Sequence, residues 1–319
     1  MSRTLRIVAR LHGYVPVHGA GAEWMLHPML AALAAHGHDV EVRLTHQPAG
    51  RRHPWVMDGV RVLLPSGGIQ PRPDVLVSHL ENVRTTAAAA RGQGIPYVVV
   101  MHNTHAQTLR DLEFANPALT VVNSEWMALR MPGDCLVIHP PVDRAIYATE
   151  PGTAVTIINL TAGKGAHLFW KVARMMPRTE FLAVEGAYGE QIVPDGGLPN
   201  VTVLDAMDGR MMRDEVYART RILLVPSDYE SWGRVATEAM CSGIPVIAHK
   251  AEGGLAENLG DAAIWADRAD PAAWVAQIRR LAKPAEWEAA SEAARKRSAE
   301  LDPAGDLERW CAAVEALVP

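Results

Sequence analysis

The sequence predicts an α/β protein built from two Rossmann-like domains, each with a parallel sheet. The chain has 319 residues, which is long for one domain and enough for two of about 150 residues each. Short β-branched runs alternate with alanine-rich helical segments throughout. The alternation starts again after Pro140 and Pro141, which interrupt a strand. Such repetition implies parallel strands joined by right-handed crossovers.

In the first half of the chain, nearly every short apolar run predicts a strand. Gly37 and His38 follow the first helix, where a glycine is a common helix stop. The predicted elements are strands over 5–11, 39–44, 75–79, 97–102 and 120–124, and helices over 23–36 and 83–92.

The second half repeats the pattern after a strand over 136–143 that serves as a connector. The predicted strands are 155–160, 181–186, 201–204, 222–226 and 245–249, with helices over 166–176, 211–219 and 234–242 and a helical tail from 271. We therefore assign 1–143 to an N-terminal domain, 144–300 to a C-terminal domain and 301–319 to a last helix. That helix is amphipathic, with one apolar face formed by Leu307, Trp310, Cys311, Val314 and Leu317.

Composition excludes several classes of protein. The net charge is −5, so no overall basic field attracts nucleic acid, and we expect no nucleic-acid partner. The three cysteines are widely spaced, which disfavours a disulfide framework and fits a reducing compartment. No apolar run reaches the ~18 residues of a membrane span, and no apolar core of a secretory leader is present. We expect a cytoplasmic protein with at most peripheral membrane contact.

The most informative segment follows the strand over 222–226. A polar loop carries Glu230, and a helix begins near Gly233. The backbone N–H groups of Trp232, Gly233 and Arg234 then lie at a helix N-terminus, which favours an anion. Glu238, further along the helix, is placed to accept hydrogen bonds from vicinal hydroxyls, as acidic residues do for ribose.

Each of these residues also has a simpler interpretation. Glu230 and Glu238 could be surface residues of an amphipathic helix, although the carboxyl end of a strand is where α/β sheets bind ligands. Arg234 opposes the helix dipole, which is reasonable beside a phosphate, but it could equally point into solvent.

The spacing Glu230-x7-Glu238 resembles the signature of retaining GT-B glycosyltransferases, and of family 4 in particular, where phenylalanine is usual at Trp232. A second match is Lys164-Gly165 after the first strand of the C-terminal domain. The family pattern has an arginine five residues before the lysine, and both cations bind the donor diphosphate. Here Asn159 takes that position, and an amide cannot form a charged bidentate clamp.

Other matches to the family are looser. Met207 precedes a helix where contacts to the donor base usually occur, and Gly19 and Gly21 lie in a loop that resembles the family's glycine-rich loop or is an ordinary turn. His102 corresponds to a histidine beside the transferred sugar. His102 and His105 could instead be a metal pair, but they lack a third ligand, so we predict no metal site.

The resemblance implies two domains facing a cleft, with the last helix crossing back onto the first domain; a core helix of the second domain is the alternative. It also implies transfer of a hexose-type sugar, with retention, from a nucleoside-diphosphate donor (UDP first) to a hydroxyl of a small molecule or sugar. No cofactor and no obligatory metal are expected. The implied catalytic residues are Glu230, His102 and Lys164. Three alternatives stay open: a non-catalytic GT-B partner that stabilises another transferase or binds nucleotide sugars, a GT-B sugar-nucleotide epimerase, and a two-lobed small-molecule binding protein.

Overall fold

The computed structural model describes residues 3–17, 19–65 and 71–318. The chain separates into two compact units, one formed by Met1–Pro141 with Pro303–Pro319 and the other by Val142–Asp302. His18, in the predicted glycine-rich loop, lies outside the described residues.

The first unit is organised around an eight-stranded sheet, counted over the described ranges. Its strands are β1 (Arg6–Leu11), β2 (Asp39–Leu44), β3 (Trp55–Met57), β4 (Val60–Leu63), β5 (Val75–His79), β6 (Tyr97–Val100), β7 (Leu119–Val122) and β8 (Leu136–Val137). They are ordered β3-β4-β2-β1-β5-β6-β7-β8, and all neighbours are parallel except β3 and β4.

The antiparallel β3–β4 hairpin was not predicted, although the sequence contains its signal. Asp58 and Gly59 form the two-residue turn, with φ angles of +48° and +81°. An Asp-Gly pair between alternating apolar residues is a strong hairpin signal, because both turn residues adopt positive φ.

The helices of the first unit are α1 (Gly21–Ala35), α2 (Val83–Gln93), α3 (Ala106–Ala115) and α4 (Glu125–Ala128). Helix α1 begins two residues before its predicted start. The Oε2 atom of Glu23 accepts a hydrogen bond from the N–H of Ala20 at 3.2 Å, which satisfies one of the donors at the helix start. Helix α3 was not predicted, and it buries only Leu112 and Ala115.

The second unit contains a six-stranded parallel sheet and a short strand pair in the residues that are described. Its strands are β9 (Ala154–Ile158), β10 (Phe181–Val184), β11 (Val201–Leu204), β12 (Thr220–Val225), β13 (Tyr229–Glu230), β14 (Val246–Ala248), β15 (Glu252–Gly253) and β16 (Ile264–Trp265). Its helices are α5 (Arg144–Tyr147), α6 (Ala166–Met175), α7 (Met212–Glu215), α8 (Arg234–Cys241), α9 (Leu255–Leu259), α10 (Pro271–Leu281) and α11 (Pro284–Glu300). The predicted strand over 136–143 is wrong beyond Val137, because Asp143 instead caps α5 by accepting from the N–H of Ala145 at 2.8 Å.

The order of strands places a topological switch point in each sheet. In the second unit the order is β11-β10-β9-β12-β14-β16, so the chain leaves β9 in one direction and returns on its other side at β12. In the first unit β1 lies between β2 and β5 in the same manner. The loops that follow the strands at such points diverge and leave a crevice where ligands bind.

The last helix, α12 (Ala304–Glu315), belongs to the first unit. The indole N–H of Trp310 donates to the carbonyl of Met29 in α1 at 2.9 Å, and Trp310, Cys311 and Val314 are fully buried in that unit's core. The predicted return of this helix to the first domain is confirmed, and the alternative of a core helix in the second domain is wrong. None of the helices in the described ranges is both long and apolar enough to cross a membrane.

Candidate functional site

Lys164 lies in the loop between β9 and α6, at the switch point of the second unit. Gly165 ends this loop with a φ of +89°, and a Cβ atom built there would lie 2.5 Å from Cγ of Pro226. Only glycine fits both the backbone angle and that close approach. The loop after β9 is therefore pressed against the segment after β12, which carries Glu230.

Lys164 and Glu230 form an ion pair at this point. The Nζ atom of Lys164 donates to Oε1 of Glu230 at 2.5 Å, and the hydroxyl of Ser227 donates to the same oxygen at 2.7 Å. The side chains are 23% and 11% exposed, so a ligand can still reach them. Burial alone would lower the pKa of Lys164, but the Glu230 carboxylate opposes this and the pKa is raised, so the ammonium form persists at neutral pH.

The backbone of Glu230 is fixed by the parallel pair β13–β15. Gly254 donates its N–H to the carbonyl of Glu230 at 2.8 Å. A Cβ atom at Gly253 would lie 1.8 Å from the same carbonyl oxygen, and the φ of Gly253 is +129°. Gly253 is thus a required part of the site, although a lone Gly-Gly pair in a sequence does not establish that.

The N-terminus of α8 follows Gly233, whose φ is +84°. Asn258, which is fully buried in α9, donates from Nδ2 to the carbonyls of Trp232 and Gly233 at 3.0 and 3.1 Å. Its Oδ1 accepts from Thr237, which also accepts from the indole of Trp232. The Trp232 ring therefore belongs to the core, and only its backbone is available to the site. Asn258 was missed, and nothing in the sequence distinguishes it.

Glu238 is buried and already has two partners. Its Oε1 lies 3.2 Å from Nε of Arg234, and its Oε2 accepts from the hydroxyl of Tyr217 at 2.6 Å. Arg234 in turn donates to the hydroxyl of Tyr147 at 3.0 Å. The side chains of Arg234 and Glu238 are 9% and 8% exposed, and Glu230 is also buried. The interpretation of Arg234 as pointing into solvent is therefore wrong, and so is the interpretation of Glu230 and Glu238 as surface residues.

Asn159 shapes the start of the Lys164 loop through the backbone. It has a φ of +73°, which asparagine tolerates better than most residues, and its Oδ1 accepts from the N–H of Thr161 at 3.1 Å. Gln191 joins the loop that follows β10 to it, because Oε1 of Gln191 accepts from the N–H groups of Leu160 and Gly186 at 2.9 and 2.8 Å. Asn159 is buried, so its amide orders the loop.

Arg268 supports the same loop and was not found from the sequence. It donates to the carbonyls of Ala162 and Gly163 at 2.6 and 3.0 Å and pairs with Asp228. A second cation therefore lies against the loop of Lys164, bound to backbone oxygens.

Met207 is less directly connected to the ion pair of Lys164 and Glu230. It follows β11, the edge strand, which β10 separates from β9. Met207 is half-buried against the apolar core of the second unit.

The predicted residues of the first unit lie at the carboxyl ends of its central strands. Gly19 packs so closely on Trp24 that a Cβ atom would lie 2.6 Å from Nε1 of the indole, whereas Gly21 opens α1 with free space around it. His102 follows β6, and its Nε2 lies 2.9 Å from Nδ1 of His79. Burial lowers the pKa of His102 to about 4, so it is neutral at physiological pH. No group of three or more metal-ligating side chains occurs in the described part of the chain.

Part of the second unit matches a family model. Residues 196–297 match the family model described as glycosyl transferases group 1. A D-inositol 3-phosphate glycosyltransferase of Segniliparus rotundus is 33% identical over 122 residues, which are 35% of this chain. The matched part is 27% of that relative, so the chain aligns with about a quarter of its length.

Two solved structures resemble the chain over nearly its whole length. HepE of Anabaena in complex with UDP-glucose has a TM-score of 0.78 at 19% identity and covers 98% of this chain and 100% of its own. Sucrose-phosphate synthase of Thermosynechococcus elongatus has a TM-score of 0.77 at 17% identity and covers 95% and 97%. The resemblance to GT-B glycosyltransferases and the GT-B fold predicted from the sequence are both confirmed.

Proposed function

We propose that this protein is a glycosyltransferase that moves a hexose-type sugar from a nucleoside-diphosphate donor to a hydroxyl group of a small acceptor. One observation carries the proposal: the ion pair of Lys164 and Glu230 lies beside the start of α8, at the switch point of the second unit. A cation, a helix N-terminus and a carboxylate at one crevice suit a phosphorylated sugar.

In this proposal each group of the second unit binds one part of the donor. Lys164 and the backbone N–H groups at Trp232, Gly233 and Arg234 bind the diphosphate, and Asn159 and Gly165 shape the loop beneath it. Glu238 accepts hydrogen bonds from the ribose hydroxyls, and the segment at Met207 contacts the base. UDP is our first choice of base, and the HepE structure with UDP-glucose supports testing it first.

The chemistry follows from charge. As the nucleoside diphosphate leaves, negative charge grows on its β-phosphate, and the Lys164 ammonium and the α8 N-terminus stabilise that charge. They supply the electrostatic help that a divalent metal gives other transferases, so we propose that no metal is required. Glu230 holds the sugar hydroxyls while oxocarbenium character develops. In the first unit, we assign His102 to contact with a sugar hydroxyl and the loop of Gly19 and Gly21 to the acceptor side.

Retention of the anomeric configuration belongs to the proposal, since the Glu230-x7-Glu238 spacing resembles that of retaining enzymes. We place the reaction in the cytoplasm, because all three cysteines are free. Inositol phosphates are among the acceptors to test, because the relative from Segniliparus rotundus is named a D-inositol 3-phosphate glycosyltransferase. The anomer formed is read from the coupling constant of the product's anomeric proton.

A second candidate is a non-catalytic GT-B partner, and Asn159 is the observation that favours it. The amide replaces a cation that would bind the diphosphate, and its Oδ1 is already bonded to Thr161. Such a protein would bind nucleotides weakly and transfer no sugar.

Isothermal calorimetry with UDP, GDP and ADP, without added metal, tests the proposal. We expect micromolar binding of one nucleotide, and a loss of at least tenfold in Lys164→Ala and in Glu238→Gln. Glu238→Gln keeps the volume of the buried side chain, and circular dichroism checks that both variants fold. Lys171→Ala, on the exposed side of α6, is the matched control for loss of a lysine. Binding to none of the three nucleotides would reject the donor site and favour the non-catalytic partner.

A further inference from the structure

Three ionisable side chains of the first unit form a continuous column, in which Glu23 and His79 are buried and His102 is half-buried. Nε2 of His79 lies 3.8 Å from Oε1 of Glu23, and Nδ1 of His79 lies 2.9 Å from Nε2 of His102. Glu23 is 3% exposed and His79 is 1% exposed. The function proposed above uses His102 and gives no task to Glu23 or His79.

The column lies where a ligand is expected in this unit. Glu23 is in the first turn of α1, just after β1, while His79 ends β5 and His102 follows β6. Strands β1 and β5 flank the switch point of the sheet. The backbone fixes the Glu23 end of the column, because Oε2 of Glu23 accepts from the N–H of Ala20.

The contacts determine which ring nitrogens carry protons. An ionised Glu23 favours a proton on the nitrogen of His79 that faces it, Nε2. In neutral His79 with its proton on Nε2, Nδ1 has a lone pair, which accepts a hydrogen bond from the Nε2–H of His102. The remaining nitrogen of His102, Nδ1, consequently carries a lone pair.

We propose that Glu23 and His79 are positioning residues that fix the tautomer of His102 and make its Nδ1 an acceptor for a hydroxyl group of the sugar. The identity of this ligand rests on the function proposed above, whereas the tautomer does not. Carboxylates and carbonyls fix the tautomer of functional histidines in the same way elsewhere.

The electrostatics of the column make this arrangement responsive to pH. Burial raises the pKa of Glu23 to about 7; the backbone N–H groups of Glu23 and Ala20 oppose the rise, and the carboxylate of Glu81 adds to it. His102 stays neutral, because burial lowers its pKa to about 4. When Glu23 is protonated, its charge no longer holds the proton on Nε2 of His79. The reverse tautomers then become available, and in them Nδ1 of His102 is a donor.

Long-range ¹H–¹⁵N correlation spectra of the ¹⁵N-histidine-labelled full chain test the proposal without any substrate, because they distinguish histidine tautomers directly. At pH 8.5 we expect both His79 and His102 to carry their proton on Nε2. In Glu23→Gln this preference should be lost at the same pH, since the amide has no charge. Assignment comes from His79→Gln and His102→Gln.

Two matched controls accompany the spectra. Glu41→Gln removes another buried glutamate of the first unit, one paired with arginines. His27→Gln removes a buried histidine bonded to Tyr14 and Asp58. Both should leave the His79 and His102 tautomers unchanged. The same tautomers in wild type and Glu23→Gln at pH 8.5 would overturn the proposal, as would protons on Nδ1 in wild type.

Activity provides a separate measurement. For hydrolysis of UDP-glucose we expect kcat/KM of the wild type to change with pH around the pKa of Glu23, about 7, and Glu23→Gln to lose this inflection. His79→Gln should lower kcat/KM on the order of tenfold. Fixed tautomers with neither turnover nor calorimetric binding of any of the three nucleotides would reject the proposed function and leave the column confirmed. Turnover with the inflection retained in Glu23→Gln would reject the column.

Discussion

At the scale of single residues, the second unit keeps charges inside the protein by giving each a specific partner. Nε of Arg234 lies 3.2 Å from Oε1 of Glu238; Arg234 also donates to the hydroxyl of Tyr147, and Glu238 accepts from the hydroxyl of Tyr217. A buried ion pair is costly unless further hydrogen bonds offset its desolvation, and the two tyrosines contribute such bonds. The result is a carboxylate held in one orientation before any ligand arrives, which would reduce the ordering cost of the ribose contact proposed for Glu238.

Glu23 makes a testable contribution to stability at this scale. Its pKa is raised from 4.5 to about 7 in the folded chain. Between those pH values the folded chain retains a proton that the unfolded chain has lost, so the free energy of unfolding falls as the pH rises, by roughly 3 kcal/mol in total. Above pH 7 this loss is complete.

Glu23→Gln should remove that pH dependence. Urea unfolding of wild type and variant is compared at pH 5 and pH 8, which cancels contributions shared by both proteins, including that of His102. From pH 5 to pH 8, the free energy of unfolding of the variant should rise by roughly 3 kcal/mol relative to that of the wild type. An equal difference at both pH values would mean that Glu23 ionises normally in the folded chain.

At the scale of elements, two short elements, the β13–β15 pair and α9, fix the loops of the site. The β13–β15 pair fixes the carbonyl of Glu230, and Asn258 of α9 binds the carbonyls just before α8. Because hydrogen bonds satisfy the backbone of both loops, Glu230 and the α8 N-terminus are oriented without a ligand.

Gly253→Ala should damage the site through this pair. The new Cβ atom would meet the Glu230 carbonyl, and the φ of +129° is strained for alanine. We expect a loss of at least about 2 kcal/mol in the free energy of unfolding and a nucleotide affinity reduced on the order of tenfold. Gly133→Ala is the control, because no atom lies within 4 Å of its Cβ position. Unchanged calorimetric binding in Gly253→Ala would show that the β13–β15 pair does not orient Glu230.

At the scale of the whole molecule, each unit has its own apolar core, and the chain enters the first unit twice. Helix α12 supplies Trp310, Cys311 and Val314 to the core that also contains α1 and β1. Deleting α12 would therefore destabilise the first unit, because residues from both ends of the sequence form its core.

Trp310→Ala tests this division. The indole is fully buried and bonded to Met29, so its loss should cost about 3–5 kcal/mol. Hydrogen exchange followed by mass spectrometry should show faster exchange in Met1–Pro141 and α12, with little change in Val142–Asp302. Trp274→Ala, equally buried in the second unit, is the matched control and should give the opposite distribution. Faster exchange throughout the chain in both variants would mean that the two cores unfold together.

The sequence by itself determined the elements whose signal is local. Alternating strands and helices gave the two α/β domains, and the motifs around Lys164 and Glu230 gave the GT-B resemblance. The apolar face of α12 was also local, and its packing on the first unit followed from the resemblance. The β3–β4 hairpin could have been predicted as well, since Asp58-Gly59 is a local turn signal.

Only the tertiary structure decided which polar side chains meet, because those contacts join residues far apart in the sequence. Asn258 reaches the start of α8, Arg268 reaches the loop of Lys164, and Glu23 approaches His79 across more than fifty residues. It also decided that Arg234 is buried rather than exposed. Hydrophobic periodicity records which face of an element is buried, but the partner of a buried charge depends on strand order, which has no local signal.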